Sequence, residues 1–158
     1  MTQPPLHMRL ATSDDAATVL EWRNDPVARR MSLQQDAVAV ADHMRWFAAA
    51  LADPDRVMLV AEASSQPVGI CRFDVDADHP GQAEISVNLD PAQRGRGIGR
   101  AMVRAAIDAL RSCRPEIRTI VATIRAENPA SIRLFEGLGF SQVMAADGVM
   151  TYERGSVA

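Results

Sequence analysis

Apolar residues recur at every fourth position from 98 to 110, at Ile98, Met102, Ala106 and Leu110, while Arg100, Arg104, Asp108 and Arg111 fall mainly on the other side. That spacing predicts an amphipathic helix over residues 97–113, with one face in a core and the other in solvent. Upstream, "SDDAATVLEWRND" opens with Ser13 as a cap residue and carries Ala17, Leu20 and Trp22 on a helical pattern, and a second helix is read over residues 36–53. "HMRLA", ahead of both helices, reads as a short strand; between the helices and the 97–113 run, "VMLVAEA" and "PVGICRFDVDA" flank a tight turn at "SSQ", and "AEISVNL" follows. After residue 113, "IRTIVATIR" reads as a strand and "VMTYERG" as a closing strand. Between them lies a helix with Asn128 as cap, Pro129 at its first position and Gly139 as its stop.

A chain of 158 residues with 47% hydrophobic content suits one domain over 1–158 with a real core. The stretch "MTQPPLHMRL" has no long apolar run, and no segment approaches the roughly 20 apolar residues of a spanning helix, so a cytoplasmic protein without a membrane partner is expected. Cys71 and Cys113 match no metal or redox spacing, and His7, His43 and His79 are scattered, so no metal is expected and the thiols read as free. A net charge of −3 argues against nucleic acid as the partner.

Within that acidic chain, residues 91–107 hold four arginines (94, 96, 100 and 104) and no acid. The same stretch contains "QRGRGIG", which joins the strand "EISVNL" to the amphipathic helix. A helix N-terminus presents free N–H groups and the positive end of its dipole, and glycines let a ligand come close. An anion site is one reading, and an ordinary helix start with a solvated basic face is the other. No Lys-Ser or Lys-Thr follows as a P-loop requires, and Arg100 and Met102 break a GxGxxG reading.

Arg94-x-x-Gly97-x-Gly99 resembles the acetyl-CoA pyrophosphate loop of the GNAT N-acetyltransferases, and "ENPASIRLFEGLGF" is similar to that family's second signature. The resemblance covers most of the chain. It implies an α/β fold, a mixed and mostly antiparallel twisted sheet of about seven strands flanked by about four helices, and acetyl-CoA as cosubstrate. It places the pyrophosphate on backbone N–H groups of Arg94, Gly95, Arg96, Gly97, Ile98, Gly99 and Arg100. The pantetheine arm would pair with the strand edge at Val87 and Leu89, with Asn128, Ser131 and Phe135 beside it; Asn128 is equally read as a helix cap.

Direct transfer needs a base for the amine, donors for the oxyanion and a route for the leaving thiolate. By the resemblance, Glu84 is the base, acting directly or through water, and backbone N–H near Val87 or Asn88 serves the oxyanion. Alternation puts Glu84, Ser86 and Asn88 on one strand face; Glu84 as a surface residue or ion-pair partner remains the alternative. Phe135 stands where many relatives carry the tyrosine that protonates the thiolate. Tyr152, the only tyrosine in the chain, either substitutes from the last strand or packs.

The stretches "EWRNDPVARRMS" and "ADHMRWF" resemble the GNAT subgroup that acetylates a UDP-linked amino sugar in pseudaminic acid synthesis. In that reading Arg23, Asn24, Arg30, His43 and Trp46 face the acceptor, a small-molecule amine with a nucleotide-linked sugar as the first candidate. The alternative makes Trp22, Trp46 and Phe47 core and the arginines solvated. Acetylation of ribosomal-protein N-termini and non-catalytic acyl-CoA binding are the other functional readings, and the chain is expected as a monomer or homodimer.

Overall fold

The computed structural model describes residues 4–155, so the first and last three residues of the expected domain lie outside the described residues. The chain runs through β1 (Leu6–Leu10), α1 (Ala16–Asn24), α2 (Pro26–Met31), α3 (Val40–Ala52), β2 (Arg56–Ala63), β3 (Gln66–Val75), β4 (Gln82–Leu89), α4 (Ile98–Cys113), β5 (Thr119–Arg125), α5 (Pro129–Gly137), β6 (Ser141–Ala146) and β7 (Val149–Gly155). The strands form one seven-stranded sheet in the order β1-β2-β3-β4-β5-β7-β6. Every neighbouring pair is antiparallel except β4 and β5, which α4 connects as a parallel crossover.

Two hydrophobic layers cover the sheet. On one face, Leu59, Cys71, Phe73, Ile85, Ile120 and Ile124 pack with Met102, Val103, Ala106 and Ile107 of α4 and Phe135 of α5. On the other, Met58, Val60 and Ile70 pack with Trp22 of α1 and Phe47 of α3. Trp22 is therefore core, because its ring fills the layer under α1. The β2–β3 hairpin closes through Ser64 and Ser65, both at positive φ (51° and 65°), which matches the right-handed twist of the strands.

The first helix begins differently from expectation. Its entry is a 3-10 turn over Ser13–Asp15 with Thr12, not Ser13, as the cap. Asp15 accepts the Thr12 N–H at 2.8 Å and is clamped by both outer nitrogens of Arg9 at 2.8 Å each. The helix expected from residue 36 starts at Val40, since residues 32–39 are held in a non-helical connection by Asn24 and Arg23. Among the described residues there are five α-helices, against the about four expected. The added one, α2, is a six-residue turn nucleated by Asp25, whose carboxylate caps the N–H groups of Val27 and Ala28, with Pro26 at its first position.

The strand pairing that matters most is incomplete. β4 and β5 match only at Gln82 with Thr119, Ala83 with Ile120 and Glu84 with Val121. Beyond Glu84, β4 stays on β3 as far as Leu89 while β5 follows β7 to Arg125, and the two parallel strands part.

Candidate active site

The parting of β4 and β5 leaves one edge of β4 without a partner among the described residues. Asp90 donates its N–H to Val68 O at 2.9 Å, and the regular β3–β4 register carries that alternation back along the strand. Asn88 and Ser86 therefore turn their N–H groups to β3, and those of Leu89 and Val87 open into the gap. An extended ligand lying in the gap meets an unfilled ladder there.

Immediately beyond β4 the chain makes a 3-10 turn at Pro91–Gln93, capped by Asp90, and then a loop in which Gly95 and Gly97 take φ of 76° and 75°. Gly97 is the N-cap of α4 in the left-handed conformation. Arg94 N–H bonds Pro91 O and Ala101 N–H bonds Gly97 O, but among the described residues no acceptor takes the N–H groups of residues 95–100. Consecutive free donors at the start of a 16-residue helix form an anion cradle with the dipole behind it. The side chains around this cradle brace it: Arg94 pairs with Asp25 at 2.7 Å, and Arg100 donates to Gly137 O at 2.6 Å. Arg96 is exposed, and Ile98 is buried under the helix. Asn128 caps α5, accepting the Ser131 N–H at 3.2 Å and donating to Ser131 Oγ at 3.0 Å.

On the α1/α3 face of the sheet a polar patch replaces the apolar layer. Asp74 sits opposite both Arg56 and Glu84, and Arg72 sits opposite Ser86. The Arg72 guanidinium bonds Asp74 at 3.1 Å and Ser86 Oγ at 3.2 Å and lies 4.9 Å over the Trp46 ring, with Arg56 at 5.8 Å. Asp74 is thus occupied by two arginines, Arg72 and Arg56. Glu84, by contrast, has no ion-pair partner among the described residues. Burial first, and the Asp74 carboxylate second, push the Glu84 carboxyl up, with Arg72 pulling the other way. The side chain still meets solvent.

The remaining expected acceptor residues divide. Arg23 is partly buried beside Arg72, with one nitrogen on Gln34 O at 2.8 Å. Asn24 spends both amide atoms on Val38 (2.9 and 2.8 Å), so it fastens the α2–α3 connection instead of facing a ligand. His43 is 4% exposed, with Nε2 at 2.8 Å from Ala16 O and its ring among Trp46 and Phe47; it is a core residue. Arg30 points its length into solvent from α2 and makes no side-chain bond among the described residues.

Tyr152 and Phe135 lie on the other side of the sheet from Glu84. Tyr152 pairs with Ala122, whose side chain is in the α4/α5 layer, whereas Glu84 pairs with Val121 one step out of phase. Tyr152 is 3% exposed, and burial together with Glu136 pushes its phenol up. The Phe135 ring is buried edge-on against Phe140, with centroids 5.0 Å apart, so it serves the core.

A cavity of about 580 Å³ lies beside this arrangement, lined by Glu21, Asn24, Asp25, Gln66 and Asp90 among others. It includes neither Glu84 nor any of residues 95–100, and the chemistry described above lies outside it.

An unfilled β4 edge that leads straight into an anion cradle fits an extended arm ending in a diphosphate. Across residues 6–141 the chain matches the family model described as acetyltransferase (GNAT) domain. The chain belongs to the GNAT acetyltransferase family. It is an N-acetyltransferase that takes its acetyl group from acetyl-CoA. Among its relatives, an L-methionine sulfoximine/L-methionine sulfone acetyltransferase of Salmonella typhimurium is 31% identical over 140 residues, covering 85% of this chain and 79% of that protein. An L-amino acid N-acyltransferase of Escherichia coli is 30% identical over 139 residues, with the same two coverages of 85% and 79%. The GNAT fold itself recurs in a Salmonella typhimurium protein solved with its cofactor acetyl-CoA, at a TM-score of 0.80 and 24% identity over 98% of this chain and 95% of that one. An aminoglycoside acetyltransferase solved with coenzyme A and kanamycin superposes with a TM-score of 0.80 at 23% identity, over 96% of this chain and 95% of that one.

Sequence reasoning missed Arg72, Asp74 and Arg56 in this candidate site. The signal was present: in the strand "PVGICRFDVDA", Arg72 and Asp74 share one face, and charges at alternate positions of an otherwise apolar strand mark a face that is not plain core.

Proposed function

We propose that this GNAT enzyme acetylates the amino group of a small amino-acid-type acceptor. The observation that carries the reading is the polar patch beside the β4–β5 gap, where Glu84 is the one carboxylate left without a cationic partner while arginines supply the surrounding charge. A base must be unpaired to accept a proton, and an excess of arginine suits an acceptor that carries an acid group. The relatives named for amino acid acetylation support this class and give no support to a nucleotide-linked amino sugar.

In this account the N–H groups of residues 95–100 hold the pyrophosphate and the Val87 and Leu89 edge orders the pantetheine arm, with Asn128 and Ser131 beside it. The acceptor amine approaches from the α1/α3 face. Glu84 takes its proton, the nitrogen attacks the thioester carbonyl, and a backbone N–H opening into the gap stabilises the oxyanion. The C–S bond then breaks, and the thiolate leaves with water as proton source, because no side-chain hydroxyl stands at position 135.

Acceptor-dependent release of free thiol from acetyl-CoA tests the acceptor class. Amino acids such as L-methionine sulfone are expected to exceed a UDP-linked amino sugar and a ribosomal-protein N-terminal peptide in kcat/KM by about 10²-fold or more, as a site built around a specific polar group discriminates. A higher kcat/KM for the sugar nucleotide or the peptide would overturn the proposal.

A further inference from the structure

Arg23 holds a charge that no carboxylate pairs with among the described residues. Its Nη1 is buried and has no hydrogen-bond partner, while another guanidinium nitrogen donates to Gln34 O at 2.8 Å. It forms no salt bridge among the described residues. The charged groups that bear on it are Arg72 across the patch and Arg29 from α2, both cations. Arg72 is itself fixed by Asp74 and Ser86, and Asp74 is shared with Arg56; Glu84 and the exposed Asp36 of the connection 32–39 have no ion pair among the described residues, and neither bonds Arg23. Above Arg23 the connection 32–39 forms a roof, fastened by the two Asn24–Val38 bonds.

A half-buried guanidinium among like charges is costly unless an anion completes it. Burial, with Arg72 and Arg29, already lowers the Arg23 pKa, yet a guanidinium stays ionised, so the site remains cationic across the working pH range. The fork geometry of arginine is matched by a planar carboxylate that accepts two N–H groups. On the sheet below, the Arg72/Ser86 and Asp74/Glu84 pairs are successive same-face rows, about 7 Å apart. An acceptor whose acid lies over the first row brings its amine toward the second, which holds Glu84.

We propose that Arg23 is the specificity-determining residue of the acceptor site, receiving the carboxylate of the amine acceptor on its half-buried guanidinium next to Arg72 and so turning the amine toward Glu84. The proposal rests on the amino-acid reading above and sharpens it: the acceptor must carry a free acid. Arg23, not a sugar or nucleotide contact, selects it.

The experiment compares an amino acid that is turned over with its carboxamide, at fixed saturating acetyl-CoA. The wild-type enzyme is expected to favour the acid by about 10- to 100-fold, carried by KM, which is the fold-change equivalent to a charge-assisted hydrogen bond. Arg23→Gln is expected to bring the acid-to-amide ratio close to one by raising KM for the acid. Arg23→Lys is expected to recover part of the preference, and KM for acetyl-CoA should hold steady in both variants. Equal handling of acid and amide by the wild-type enzyme overturns the proposal whether or not the variants fold, as does an Arg23→Gln enzyme that keeps the preference. Acetyl-CoA binding without turnover of either acceptor form is a different result: it removes the amino-acid reading and this proposal with it.

Discussion

Gly97→Val is expected to weaken acetyl-CoA binding by two orders of magnitude or more while leaving the sheet folded. Gly97 holds φ at 75° as the N-cap of α4, a conformation that a β-branched residue adopts only at a cost of about 1–3 kcal/mol. A valine there relaxes the loop out of its cradle, and the donors of residues 95–100 no longer converge. Losing two charge-assisted bonds to a pyrophosphate costs about 3–6 kcal/mol, which is the basis of the expected change. Gly99 differs in kind. It lies inside α4 without a positive φ, and a Cβ there meets Leu134 Cδ1 of α5 at 3.1 Å, so Gly99→Val should show chiefly as lost stability through displacement of α5. Calorimetric titration with acetyl-CoA, with circular dichroism to confirm folding, separates the two; undiminished affinity in a folded Gly97→Val protein would remove residues 95–100 from the cofactor site.

Glu84→Gln is expected to lower kcat by about 10²- to 10⁴-fold, the range spanned by general base catalysis, with acetyl-CoA affinity nearly unchanged. The pH dependence should change with it. Partial burial and Asp74 push the Glu84 carboxyl above its ordinary value. Only the ionised form accepts the amine proton, so wild-type turnover should fall as pH drops through that raised value and rise above it. In the glutamine variant that limb should vanish, leaving whatever slope the acceptor amine imposes. An unaltered pH–rate profile in Glu84→Gln, measured where chemistry limits turnover, would assign Glu84 to the strand surface and the proton to water.

What was legible in the sequence was local. The every-fourth-residue period of α4, the glycine loop before it and the Asn128-Pro129 start of α5 all sit where expected, because each is set by contacts within a few residues. α2 was missed because six residues give no period to read. β6 was missed for a related reason, as all six of its side chains are exposed at the sheet edge and carry no alternation. The site divides along the same line. The proposed cofactor loop is one continuous stretch, but the proposed acceptor patch gathers Arg23 from α1, Trp46 from α3, Arg72 from β3 and Glu84 from β4, and no short spacing records that meeting. His43 and Asn24 resembled acceptor residues by type, yet their partners, Ala16 and Val38, lie 27 and 14 residues away and bind them into the scaffold. The opposition of Tyr152 and Glu84 across the sheet likewise depends on the β5–β7 register, which pairs Tyr152 with Ala122 instead of Val121.

The account stands on the parted β4–β5 pair and its donor-rich loop holding acetyl-CoA, and amide hydrogen exchange with and without saturating acetyl-CoA tests this most directly. The free protein should exchange rapidly at residues 95–100 and at Val87 and Leu89, whose N–H groups have no acceptor, and acetyl-CoA should slow exchange at both places together. Gln66, beside the 580 Å³ cavity, should not change. Protection at the cavity, with residues 95–100 still exchanging freely, would contradict the account.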